Sequence, residues 1–275
     1  IHAVRVAGIE KRTPGALSAL DAANDELGVP TFVEGAAFWH AYNYIPVAKR
    51  PPIAIHAGED YRTDLEGLRR VDRVLDLGSL FGVRCRIGHG LALLENRHRF
   101  EGTVLQPRFA RLCDLRWEER LHPRRATLPP SRMRSLRTQL MSLAHDMQLS
   151  RVLVPLNIHT LRGLLDKLDQ PAKIARNHGR RFGRRKNSPL SAFLSDSVIC
   201  RRGAEPVEVE ISAEELCASD VARCAVRGRV RKHEAFIECC PSSNMLVGDY
   251  DGMEQHPMHL HENEALLLTL NSDDP

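Results

Sequence analysis

Two histidines, one glutamate and two adjacent aspartates stand where apolar runs of this chain stop. They lie in His-Ala-Gly-Glu at 56–59, Arg-Ile-Gly-His-Gly at 86–90 and Asn-Ser-Asp-Asp-Pro at 271–275. Together they are the ingredients of metal-assisted hydrolysis. Neutral imidazole is a good zinc ligand, and a carboxylate beside it can carry protons to and from a bound water. At a strand end, His56 is expected to point inward with Glu59 just above it in the loop. His89 adds a second inward imidazole, flanked by glycines that let a ligand approach closely. Asp273 and Asp274 add paired carboxylates, which are costly side by side unless something neutralises them.

The elements that must hold these groups read as an α/β fold. Residues 1–8, 51–57, 83–88, 234–240 and 265–270 form short apolar runs of the kind found in strands covered on both faces of a parallel sheet. Residues 14–27 read as a helix with Pro14 near its first turn, where the missing N–H costs little. Thr63-Asp64-Leu65-Glu66 is a capping-box sequence, and Leu65, Leu68, Val71, Val74 and Leu75 continue it as an apolar helical stripe. His56 and His89 are 33 residues apart, and Cys239 and Asp273 are 34 apart. Both intervals fit one strand–helix repeat of a (β/α)8 barrel, where ~250 residues hold eight repeats and strand C-termini carry the catalytic groups.

His89 and Cys239 are 150 residues apart, too far for one repeat. A mostly helical insertion is therefore expected at 95–230, between barrel segments at 1–94 and 231–275. It carries a helix candidate at 131–149, a second capping box at 212–215 and a basic loop at 176–186. Residues 91–230 hold 26 Lys and Arg against 15 Asp and Glu, so this middle carries +11 and the flanks −7 of the net +4. A basic patch of this kind attracts nucleic acid or nucleotide phosphates, although most such loops are simply solvated.

No apolar run approaches the ~18 residues of a membrane-spanning helix, and the first residues lack a secretory pattern. Seven cysteines without a CxxC pair read as reduced thiols in a cytoplasm. The chain opens on Ile1 rather than Met and stops just after Asp273-Asp274, which reads as a piece of a longer protein.

HAGE, RIGHG, CPSSN (240–244) and NSDDP, in this order, resemble the adenosine deaminase-like branch of the metal-dependent amidohydrolases. Ala7-Gly8-x-Glu10 is similar to an earlier strand-end segment of that family. The resemblance covers about half the chain and implies the C-terminal part of a TIM-type barrel. It implies a zinc enzyme that converts adenosine or an adenine nucleotide to the inosine form with release of ammonia. His56 would be a zinc ligand, Glu59 the proton shuttle to purine N1, and His89 the group that orients the attacking water. Asp273 would be a further zinc ligand and base, Asp274 would hold N7, and the Gly8 N–H would contact N3. Ser242, Ser243 and Asn244 would support the site rather than act in catalysis.

The family's first metal motif, a His-x-His at the end of the first strand, is not in these residues. His259-Leu260-His261 has that spelling but precedes the last strand, and His256-Pro257 reads as structural. With His56 and Asp273 alone, zinc falls short of three protein ligands, so this piece by itself is expected to be inactive. The insertion resembles the enlarged deaminase subunit of the RADAR antiphage defence system, which implies a homo-oligomer working beside an ATPase partner. The rival expectation is a non-catalytic nucleotide-binding or assembly subunit on the same scaffold.

Overall fold

The computed structural model describes residues 19–22, 27, 31–93, 102–121, 129–168, 189–248, 252–256, 258–259 and 265–271. Seven strands occur among them: β1 (Leu20–Ala22), β2 (Ile53–Ala57), β3 (Cys85–His89), β4 (Gly102–Pro107), β5 (Pro206–Ile211), β6 (Phe236–Cys239) and β7 (Leu267–Leu270). Five make one sheet in the order β1-β2-β3-β6-β7, with every neighbouring pair parallel. Ile53, Ile55, Ile87 and Ile237 are buried completely or nearly so, as apolar strands covered on both sides require.

The helices of this part follow from capping and periodicity. After α1 (Thr31–Tyr42) and β2 comes α2 (Asp64–Phe81). The Glu66 N–H donates to Thr63 Oγ1 at 3.1 Å, as the capping box predicts. The Glu66 carboxylate accepts from the Arg62 N–H at 3.1 Å rather than from the cap residue itself. Leu65, Leu68, Val71, Val74 and Leu75 are all fully buried, so the apolar stripe predicted from sequence is the packed face. Arg50 closes the far ends of both helices, donating to Phe81 O at 2.9 Å and Tyr42 O at 3.3 Å. A guanidinium there meets orphan carbonyls and the negative end of each helix dipole.

One expectation fails outright. Leu20–Ala22 lies inside the helix predicted at 14–27, yet it forms β1, with Leu20, Asp21 and Ala22 aligned on Ile53, Ala54 and Ile55. Parallel pairing with β2 outweighs the local helical pattern, as tertiary context commonly does. The strand predicted at 1–8 lies outside the described residues.

Two compact units divide the chain, one of residues 1–98 with 223–275 and the other of residues 99–222. The second holds α3 (Arg108–Leu121), α4 (Pro130–Asp146), α5 (Ile158–Leu168), α6 (Pro189–Ser195) and α7 (Ser197–Ala204). Leu112, Leu115, Leu136, Leu140, Leu161 and Leu165 form its core. β4 and β5 pair antiparallel over six residues each, a ribbon that the apolar patterning did not reveal. The basic stretch at 176–186 lies outside the described residues.

The second boundary falls within α8 (Ala213–Lys232), whose start is capped by Ser212 Oγ accepting from the Glu215 N–H at 3.3 Å. The later turns of α8 belong to the first unit for a physical reason. Arg223 reaches Asp64 at 2.5 Å and Ala92 O at 3.2 Å, and Arg227 donates to Leu93 O at 2.7 Å. Arg229 pairs with Asp72 and Asp76. Three arginines counted from sequence with the basic insertion are thus tied to the turn after β3 and to α2.

The cysteines offer a direct check of this packing. Burial pushes the Cys85 thiol up to about 12 and the Cys239 thiol up to about 11. Cys113 and Cys240 are also buried, while Cys200, Cys217 and Cys224 are exposed. Titration with a disulfide reagent at pH 8 is expected to modify those three in the native protein and all seven in denaturant. Rapid native reaction of Cys85 or Cys239 would contradict the sheet packing described here.

Candidate metal centre

Adjacent parallel strands place register partners on the same face of the sheet. His56 on β2 is aligned with Gly88 on β3, and Gly88 with Glu238 on β6. The His56 ring occupies the space that a side chain at Gly88 would fill, since a Cβ there would lie 2.4 Å from His56 Cδ2. Gly88→Ala is therefore expected to displace the imidazole, lower the affinity for any metal held by His56 at least about tenfold, and cost about 1–3 kcal/mol by overpacking. Competition with a chelating dye and a thermal melt read both effects, and unchanged affinity would contradict the assigned position of His56.

The chain turns sharply after each of these strands. Gly58 has φ +76° and lets the backbone reverse so that Glu59 returns toward the strand end. His89 itself has φ +61°, a left-handed conformation uncommon for a residue with a Cβ and one that concentrates at functional sites. Its ring is fully buried.

His56, Glu59 and His89 come together. Each offers one ligand atom, and these atoms all lie within 4.8 Å of one another. His89 Nε2 is 3.3 Å from Glu59 Oε2, and the two imidazoles meet edge to face with centroids 4.9 Å apart. Two imidazole nitrogens and a carboxylate oxygen form a donor set that zinc accepts, with ligand bonds of about 2.0–2.2 Å. These three side chains could therefore hold a metal ion, and their donor types suit zinc among others.

Two further contacts surround this group. His89 Nδ1 is 2.6 Å from Oδ1 of Asn244, which lies on α9 (Pro241–Gly248), the short helix that follows β6. Glu238, on the same face as Gly88, is paired with Arg86 at 2.7 Å and is thereby neutralised. Sequence reading singled out Asn244 only as support and passed over Glu238. A carboxylate inside the apolar run EAFIECC was the signal that β6 carries an inward polar position.

Gly8, Asp273 and Asp274 lie outside the described residues. The start of the last motif is visible: the Asn271 N–H donates to Cys239 O at 2.9 Å, so the chain leaves β7 beside the C-terminal end of β6. This is the sheet end that carries His89. His259 Nε2 lies 3.2 Å from Met253 O, and His261 is outside the described residues. His256 is buried and accepts from the Met258 N–H at 3.1 Å, in keeping with a structural role. Burial, with a smaller contribution from His259, holds its pKa below the usual imidazole value.

Compared with models of known families and with curated proteins, the sequence matches none.

Proposed function

We propose that this chain carries part of the active site of a zinc-dependent hydrolase that deaminates adenosine or an adenine nucleotide, yielding the inosine form and ammonia. The observation that carries the reading is the convergence of His56, Glu59 and His89 at two adjacent strand ends. The sheet supports the accompanying barrel. Its strands follow one another in chain order and all run parallel, as in a (β/α)8 barrel, whereas a doubly wound sheet reverses its order at a switch point.

In this reading His56 and Asp273 would hold the metal with the His-x-His pair that the resemblance calls for, while Glu59 and His89, which the three-residue grouping also allows as ligands, would act on substrate and water instead. Bound there, zinc would supply Lewis acidity and lower the pKa of a coordinated water toward ~7. Glu59 holds the proton that goes to purine N1, which breaks the aromaticity that otherwise resists addition at C6. His89 faces the same space and steadies the charge that develops on the attacking oxygen. Gly8 and Asp274 orient the ring at N3 and N7. Water oxygen adds at C6. Of its two protons, one passes by way of Asp273 to the amino group, which leaves as ammonia when the C6–N bond breaks. The other restores the carboxyl group of Glu59.

The larger assembly belongs to the same proposal, with a homo-oligomer and an ATPase partner carried by the resemblance of the insertion. No helix among the described residues is long and apolar enough to cross a membrane. Ammonia release by the zinc-loaded full-length protein, with adenosine and ATP compared, tests the activity. Turnover is expected that a chelator abolishes and zinc restores. Zinc binding without ammonia release from any adenine nucleoside or nucleotide would overturn the enzyme and favour the non-catalytic subunit.

A further inference from the structure

His89 presents its two ring nitrogens to different oxygens: Nδ1 to Asn244 Oδ1 at 2.6 Å and Nε2 to Glu59 Oε2 at 3.3 Å. An amide oxygen only accepts, so the shorter contact requires the proton on Nδ1. In a neutral imidazole this leaves the Nε2 lone pair aimed at the space shared with Glu59 and His56. We infer that Asn244 is a positioning residue that selects the His89 tautomer and commits Nε2 to the site, an assignment of role that rests on the deaminase reading.

The local structure supports that choice. Pro241 opens α9 immediately after β6, and the Asn244 N–H donates to Cys240 O at 2.8 Å, fixing its backbone in the helix. Asn244 is fully buried, as is His89, so water does not compete for the contact. Its amide nitrogen has no hydrogen-bond partner among the described residues. A buried donor left unmatched costs stability, which points to a residue kept for what its oxygen does. An amide also supplies an acceptor without adding a second carboxylate charge beside Glu59.

Three proteins decide the matter: the wild type, Asn244→Leu and Asn244→Asp. Long-range nitrogen–proton spectra of the zinc-free, histidine-labelled full-length protein report the tautomer directly. The wild type is expected to show a protonated Nδ1 and a bare Nε2 at His89. Asn244→Leu, which lacks the acceptor, is expected to mix the tautomers, and Asn244→Asp, which keeps it, to restore the wild-type pattern. In turnover, Asn244→Leu is expected to lower kcat about 10–100-fold with KM within about threefold, and Asn244→Asp to recover most of it. A protonated Nε2 in the neutral wild-type ring, or a His89 spectrum unchanged in Asn244→Leu, would overturn the inference. Absence of ammonia release from the wild type would strike the deaminase reading instead, because the spectra need no turnover.

Discussion

Glu59→Gln is expected to lower the proposed deamination by about 10²–10⁴-fold in the full-length protein while the proposed zinc binding stays within a few fold. The glutamine amide has the shape of the carboxyl group but cannot hand a proton to N1. The geometry makes this a test of proton transfer rather than of folding. Glu59 lies in the turn after β2, its side chain is 16% exposed, and its Oε2 lies 3.3 Å from His89 Nε2. His56→Ala is expected to differ, losing zinc and turnover together. Steady-state kinetics paired with chelator competition separate the two variants. Turnover unchanged in Glu59→Gln would sink the mechanism. An equal loss of zinc and activity would reassign Glu59 from proton shuttle to metal ligand, which the 4.8 Å grouping also permits.

The sequence revealed this site only as far as local rules reach. An apolar run that stops at His56, a glycine that reverses the chain and a glutamate three residues on from His56 are neighbours in sequence, so spacing alone could join them. His89 joined them through the repeat length between parallel strands. Asn244 could not be placed this way, because it meets His89 across 155 residues, and the contact depends on β3 and β6 lying side by side. The failed helix at 14–27 has the same origin, since the pairing of Leu20–Ala22 with β2 leaves no trace in local periodicity. The β4–β5 ribbon joins segments about a hundred residues apart and was equally invisible.

Charge counting does not say where each charge lies, and this leads to the second large expected effect. Part of the positive charge in the middle of the chain is internal. Arg132 donates two hydrogen bonds to Glu118 at 2.8 and 2.7 Å, and Arg111 donates two to Glu215 at 2.6 and 2.8 Å. Arg132 and Glu215 are 3.9 Å apart, so the four side chains alternate in sign along one buried row joining α3, α4 and α8. Burial alone would pull the Arg132 pKa down. Glu118, with Glu215 behind it, outweighs burial and holds it above the usual value. Glu118→Ala strips Arg132 of its two-point partner while the guanidinium stays buried, and a cost of about 3–5 kcal/mol is expected. The pair replaced together, as Glu118→Met with Arg132→Met, is expected to be close to neutral or even stabilising, since neither charge then has to be desolvated. Urea unfolding of Glu118→Met, Arg132→Met and the double variant completes a thermodynamic cycle. A single variant that loses less than about 1 kcal/mol would mean that water already reaches this row and that its arginines belong to the solvated surface.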